Sequence, residues 1–380
     1  MHFPSQPTAP LILFNAILVV LLIVLSWRAR KAPYKIPAQS RLVCWLLVFV
    51  CMIFPFYDVD FFNYIELMDV LKYQGNDLDS IKGELLQFEW PYYYIGRLVN
   101  YNYLPFRLVV WGGAMVFYIL TMRRLDLNPN VFILYFTIIA LLLISYGRVT
   151  LAWAIAFYGY SFIVKPIEKK GRLWSYLLGV SLIAVSLLFH KTAILLPIVF
   201  LLTAIKLNKW SVASLLIAFP FLVYLANSQL LLEVLSMSQD ESSILNVGTA
   251  QQYMTSDADR MGIAAVLQEV LRAMVFYGFL LICVLRLLGK KGINEVPKPI
   301  KSYIDVSIWL IYISSIFAFT TSANTHLIYY RFLNFAVFPM TVSLSYLTSN
   351  GQSYKQISVL NYCAVAYTIY RLLYALYLAN

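Results

Sequence analysis

From Leu11 to Leu25 the chain is apolar almost without interruption, and runs of the same character return along nearly its whole length. They fall near residues 10–27, 41–56, 104–122, 130–146, 149–164, 173–189, 192–205, 210–226, 263–288, 303–320, 333–347 and 357–377. A helix rises about 1.5 Å per residue and a bilayer core is about 30 Å thick, so about 20 apolar residues make a full crossing. The pattern therefore predicts about 12 transmembrane helices. Several runs are shorter than a full crossing, so some helices are expected to tilt or merge. A short aromatic segment at 91–101 reads as interfacial or re-entrant.

Two polar segments interrupt the apolar pattern. The first, 57–90, opens with Asp58 and Asp60 and closes with Glu89; the second, 227–262, holds Glu233, Asp240, Glu241, Asp257 and Asp259. Most Lys and Arg residues cluster after alternate runs, from Arg28, Arg30 and Lys31 through Lys165, Lys169 and Lys170 to Lys355. By the positive-inside rule those clusters are cytoplasmic, which places both polar segments and both termini outside. The first run has no Lys or Arg before it and its basic cluster after it, so it reads as a retained span rather than a signal peptide.

Composition agrees. Of 380 residues, 61% are hydrophobic and 12% charged, against about 25% charged in soluble domains. The fold class is an all-α polytopic membrane protein, a single integral-membrane domain over 1–380 with two long outer loops. Cys44, Cys51, Cys283 and Cys363 lie inside apolar runs at unrelated spacings and read as packing residues. Walker, dinucleotide, His-Glu zinc and serine-elbow motifs are all missing, so no nucleotide, metal or other cofactor is implied. The charge pattern does not call for a nucleic-acid partner.

The positive-inside rule leaves some cations unexplained. Arg148, His190 with Lys191, Arg272 and Arg331 each fall at or just inside an outer helix end, and Arg97 lies in the aromatic segment. Ionisable groups at membrane depth are expensive and usually face a cavity or a partner. Brought together they would line a cleft suited to an anionic head on a greasy tail, where arginine grips phosphate through paired donors. Taken singly, each can equally snorkel to lipid head groups. Lys72, Lys82 and Arg371 read as loop or bundle charges.

Asp58 and Asp60 share one side of an extended segment, and their chemistry suits a divalent ion, a general base or sugar hydroxyls. Glu89 adjoins Trp90, Tyr92 and Tyr93, a group that fits a sugar as well as it fits an interfacial belt. His190 has the proton affinity of a base at neutral pH, although Lys191 beside it disfavours the charged ring.

The order of these features resembles the EpsG/Wzy-like family of bacterial polysaccharide polymerases. The resemblance rests on the outer loop acids, the Glu89 aromatic segment, Gly147-Arg148-x-x-x-Ala152, Phe189-His190-Lys191-Thr192-Ala193 and Tyr330-Arg331-Phe332-Leu333. It implies a GT-C-like enzyme of the inner membrane, with its active site on the outer face. Such an enzyme polymerises O-antigen, capsule or exopolysaccharide repeat units. It moves a glycan from one undecaprenyl pyrophosphate carrier to the unit on another. On that resemblance Arg148, His190 and Arg331 carry the site, with Asp60 and Glu89 behind them. Lys191, Arg272 and Arg97 would add pyrophosphate contacts, and Asp58, Trp90, Tyr92 and Tyr93 sugar contacts. Membrane lipids, a flippase and a chain-length regulator are the implied partners. Members often carry an arginine shortly before the first-loop acid. Residues 51–60 hold none, leaving Arg97 or Arg107 as candidates for its place. Two rivals stand beside this reading: another polyprenyl-dependent GT-C glycosyltransferase or ligase, which Asp58 and Asp60 would suit, and a transporter of lipid-linked sugars, for which Asp305 is the mid-span charge.

Overall fold

The computed structural model describes residues 8–31, 38–56, parts of 61–72, 90–141, 149–167, 171–226, 263–288, 296–318, 323–350 and 354–378. Among the described residues every regular element is a helix. The chain divides into two compact units, one of residues 1–196, 345–352 and 368–380, the other of 197–344 and 353–367.

In the first unit, α1 (Ala9–Lys31), α2 (Ala38–Ile53), α3 (Trp90–Leu98), α4 (Tyr103–Arg124), α5 (Pro129–Tyr135), α6 (Val149–Val164) and α7 (Arg172–Phe189) follow in order. The helix α5 continues as a π-helical turn, Phe136–Leu141, every residue of which is buried. The carbonyl of Ile138 in that turn accepts a hydrogen bond from Thr368 Oγ1 at 2.9 Å. Wide π turns loosen the regular i→i−4 ladder, so a hydroxyl from elsewhere in the unit satisfies an acceptor that lipid would leave bare.

The tightest packing joins α6 and α7. A Cβ added at Gly159 would lie 2.7 Å from the carbonyl oxygen of Gly179, and one added at Gly179 would lie 2.8 Å from that of Gly159. Only hydrogen fits at this crossing. In lipid there is little hydrophobic drive between helices, so close approach of backbones at small residues supplies the packing instead.

Opposite ends of this unit differ in character. At one end Lys165 Nζ donates to the Arg124 carbonyl at 2.8 Å and pairs with the Asp126 carboxylate. Arg124 donates to the Lys165 carbonyl and lies 3.8 Å over the Phe162 ring. The basic ends of α4 and α6, which the charge pattern assigns to one face, do meet. At the other end, where α1, α4 and α6 begin and α2 and α7 end, the backbone is capped by buried polar side chains. Asn15, fully buried, accepts from the Phe56 amide at 2.6 Å and donates to the Phe54 carbonyl at 2.7 Å. That closes the end of α2 against α1.

The second unit holds most of α8 (Leu195–Leu202), then α9 (Lys209–Ala226), α10 (Ile263–Leu288), α11 (Lys298–Ala318), most of α12 (Ala323–Ser349) and the first half of α13 (Tyr354–Leu378). Its centre is α11, whose Tyr312 hydroxyl donates to the Leu215 carbonyl of α9 at 2.7 Å. Ser315 bonds Tyr277 of α10 at 3.1 Å, and Ser314 donates to the Tyr329 carbonyl of α12 at 2.9 Å. Asp305 is buried on the same helix.

Six helices among the described residues are long and apolar enough to cross a membrane: in α1, α4, α7, α10, α11 and α13. Four shorter apolar helices lie in α2, α5 with its π turn, α6 and α9. The chain is therefore an all-helical membrane protein. One expected span is divided. Residues 192–205 form a 3₁₀ turn, Lys191–Ile194, and the eight-residue α8, whose rise of about 12 Å falls short of a bilayer core. Another is extended: the run at 333–347 belongs to α12, which begins ten residues earlier at Ala323.

Candidate functional site

The hairpin of α6 and α7 organises the end of the first unit opposite the Lys165–Asp126 pair. Val149 starts α6 immediately after Arg148, and His190 follows the last residue of α7. Because the two helices run antiparallel, both motif segments leave the hairpin at the same end. The glycine crossing sets the distance between the helices that carry them.

His190 ends α7 because its backbone turns extended, with φ −162° and ψ 123°. Its amide still donates to Ser186 at 3.3 Å, and its carbonyl accepts from the Ala193 amide at 2.9 Å, which starts the 3₁₀ turn. Ala193 and Ser186 are buried beneath this corner, while the imidazole is half-buried. A histidine so placed has its backbone fixed on both sides and its ring partly open to the outside. That is a workable site for a proton acceptor.

The aromatic segment meets the same corner. Tyr92 on α3 is fully buried, with its ring edge-on to Phe189 at 5.7 Å and to Phe106 of α4 at 6.2 Å. Expected to face a sugar, it instead anchors α3 against α4 and α7. The segment leaves α3 through Asn100 and Tyr101, both left-handed at φ 53° and 51°. Tyr101 folds back so that its ring covers Gly96 and its amide donates to the Gly96 carbonyl at 2.7 Å. A tyrosine in this conformation is unusual and costs roughly 1–3 kcal/mol, held by the surrounding contacts. The reversal ends α3 and keeps it from continuing into α4 as one helix.

Arg97 and Arg107, the two candidates for the family's first-loop arginine, are placed very differently. Arg97 is exposed on α3. Arg107 is buried to 1% exposure on α4. Its Nε and one terminal nitrogen donate to the Met52 carbonyl at 3.2 and 2.9 Å, and the other donates to Tyr103 at 2.7 Å. The guanidinium lies 3.9 Å over Trp111 and 5.1 Å over Phe61. It caps the C-terminal turn of α2, where a cation suits the helix dipole, inside an aromatic cage that favours it by cation–π attraction.

Arg272 lies in the second unit. It is buried on α10 and pairs with Glu269 one turn earlier at 3.7 Å. That i, i+3 spacing was readable as a helical ion pair. Among the described residues no cluster of three or more metal-ligating groups occurs. Arg148, Asp58, Asp60 and Glu89, and nearly all of both outer loops, lie outside the described residues. Trp90, Tyr93, Lys191 and Arg331 are placed by backbone only, the first two on α3, the third opening the 3₁₀ turn and the fourth on α12.

With this geometry in hand, comparison with known proteins gives a clear family. Residues 40–380 match the EpsG family. The chain belongs to the EpsG family. No curated protein and no solved structure matches it. The EpsG assignment covers α2 to α13 and so takes in the α6–α7 hairpin, the His190 corner, α3 and Arg331. It makes this a membrane protein of the polysaccharide-polymerase type.

Proposed function

We propose that this EpsG-family protein polymerises polysaccharide repeat units at the outer face of the bacterial inner membrane. It takes the growing glycan from one undecaprenyl pyrophosphate carrier and transfers it to the lipid-linked repeat unit on a second. The observation that carries the reading is the family match over 40–380, with the His190 corner and the start of α6 at one end of a tightly crossed hairpin. O-antigen, capsule and exopolysaccharide synthesis all use this chemistry, and a GT-C-like arrangement would house it.

In the reaction an acceptor sugar hydroxyl attacks the donor's anomeric carbon. The new glycosidic C–O bond forms as the bond to pyrophosphate breaks, and the leaving undecaprenyl pyrophosphate takes the electron pair. His190, Glu89 or Asp60 accepts the hydroxyl proton. Arg148 and Arg331 oppose the charge that grows on the leaving group, and Lys191, Arg97 and Arg272 are further pyrophosphate contacts. Such fixed donors stabilise a transition state because they need no reorganisation as the charge develops. Asp58, Trp90 and Tyr93 are the sugar contacts. Lipid-linked oligosaccharides, supplied by a flippase, are the substrates, a separate regulator sets chain length, and no cofactor takes part.

The test is a glycan ladder from a deletion host carrying wild type, Arg148→Ala or His190→Ala. Wild type should restore long chains, while Arg148→Ala leaves single repeat units. His190→Ala tests that residue as the base: an intact ladder moves the role to Glu89 or Asp60. A repeat unit shortened by one sugar in the deletion host would instead mean a single-sugar transferase. Complete units trapped on the inner leaflet would mean a transporter.

A further inference from the structure

The helix α11 carries a polar stripe through the second unit's core. Lys301, Asp305, Trp309 and Tyr312 follow one another at helical spacings of four, four and three, so they share one face. Tyr312 at one end of the stripe has its partner, the Leu215 carbonyl of α9. Lys301 at the other end is half-buried near the start of the helix. Between them Asp305 and Trp309 are buried, at 5% and 6% exposure. Asp305 Oδ1 and Trp309 Nε1 are both buried without a hydrogen-bond partner among the described residues, so they do not bond each other either. Buried polar atoms left in that state are rare in folded proteins, and each needs a physical account.

The surroundings narrow what can answer the two atoms. The Trp309 ring stands edge-on to Tyr312 at 6.2 Å, and Tyr312 edge-on to Phe219 of α9 at 5.9 Å. Cys283 of α10 lies within electrostatic reach of Asp305 and of Arg286, and Lys301 within reach of Asp305. The orphaned atoms are opposite in sense, since a carboxylate oxygen accepts and an indole N–H only donates. Residues four apart on a helix have Cβ atoms about 5–6 Å from each other, which leaves the two side-chain ends within reach of one oxygen between them. We propose that Asp305 and Trp309 hold a buried water inside the second unit. Its oxygen accepts from Trp309 Nε1 and one of its hydrogens is donated to Asp305 Oδ1, which supplies the two polar partners that such a water needs. The inference does not draw on the polymerase reading. It gives the mid-span carboxylate a place in the fold: Asp305 is solvated from within, and the water joins it to Trp309 and so to the contact of α11 with α9.

The experiment uses nuclear magnetic resonance on the full-length protein in nanodiscs with isotope-labelled indoles, where the Trp309 signal is the one that Trp309→Phe removes. In wild type the Trp309 indole proton should show a cross-peak to a long-lived bound water. Asp305→Leu should abolish that cross-peak, and Asp305→Asn, which keeps an acceptor oxygen, should retain it. No bound-water cross-peak in wild type would overturn the proposal, as would one that survives Asp305→Leu unchanged. The wild-type signal keeps the test decisive even if Asp305→Leu does not fold. A cycle of Tm measurements reads the same coupling independently. Asp305→Leu and Trp309→Phe should each lower Tm, and the double variant should lose about 2 °C less than the two losses added, because either change alone already releases the water. Strictly additive losses would mean that no shared water joins the pair, and would also overturn the proposal.

Discussion

Two arginines ten residues apart, at the same end of the same unit, have opposite fates. Arg107 is sealed in an aromatic cage and bonded to the end of α2, whereas Arg97 faces outward from a helix whose other side is buried. Both are cations where the positive-inside rule predicts few, and sequence alone gives them equal standing as phosphate ligands. The difference lies in what surrounds them. Arg107 is set where the end of α2 and the rings of Phe61, Tyr103 and Trp111 come together, so its charge is answered from within. Arg97 is answered by nothing in its own helix, where the buried positions are Tyr92 and Gly96. A charge at membrane depth therefore says that something must pair with it, and only the packing says whether the partner is the protein.

Removing Arg107 should break this comparison most severely. Arg107→Ala leaves the Met52 carbonyl and Tyr103 hydroxyl buried without their donor and empties the cage. Stranding buried hydrogen-bond partners costs about 1–3 kcal/mol each, two are stranded here, and the full-length protein in detergent should show a large fall in Tm. Arg107→Lys should recover little, because an ammonium cannot reproduce two bonds to one carbonyl and a third to Tyr103. A variant with wild-type Tm would show that Arg107 is not the cap of α2.

The glycine crossing comes next. Gly159→Ala directs a methyl at the Gly179 carbonyl and at Leu182 Cβ, 2.9 Å away. Forcing α6 and α7 apart should cost about 1–3 kcal/mol and shift the His190 corner, so thermal stability and polymer length should fall together. Asn15→Leu follows at about 1–3 kcal/mol, since it strands a buried amide and carbonyl at Phe56 and Phe54. The expected result is a lower Tm without any change in carrier affinity, because Asn15 is fully buried and bonded inside the unit. Reduced carrier binding in that variant would mean that the end of α2 belongs to the site.

How much of this was legible follows from which interactions are local. Helices α6, α7 and α10 carry long uniform apolar runs with punctuation at each end, and their limits were readable to a residue or so. The short α8 was not, because hydropathy cannot see a 3₁₀ turn inside an apolar run. The beginning of α12 was missed for the opposite reason: Asn324, Thr325 and His326 lower hydropathy without breaking the helix. The Glu269–Arg272 pair lies within one turn and was there to be read. Asn15 bonding Phe54 and Phe56, and Arg107 bonding Met52, join residues about 40 and 55 apart in sequence, and no periodicity announces such pairs. Tyr92 was grouped with its aromatic neighbours as a ligand contact because composition shows that a segment is aromatic but not which ring turns inward.

The smallest effect on stability should come from Arg97→Gln, and that smallness is what separates the two arginines. Arg97 is exposed, and the anchor of its helix is Tyr92, so the change removes no buried contact. Surface substitutions of this kind stay within about 0.5 kcal/mol, and Tm should match wild type. The glycan ladder should nevertheless shorten, because a carrier that docks more weakly leaves the growing chain sooner. Raising the level of lipid-linked repeat unit should then restore length, since the defect is in binding rather than in the bond-forming step. If extra substrate fails to restore it, Arg97 acts on the leaving pyrophosphate as the bond breaks, and α3 belongs to the reacting centre itself. If Tm falls as it does for Arg107→Ala, the outward arginine is a structural one after all, and the contrast between the two positions disappears.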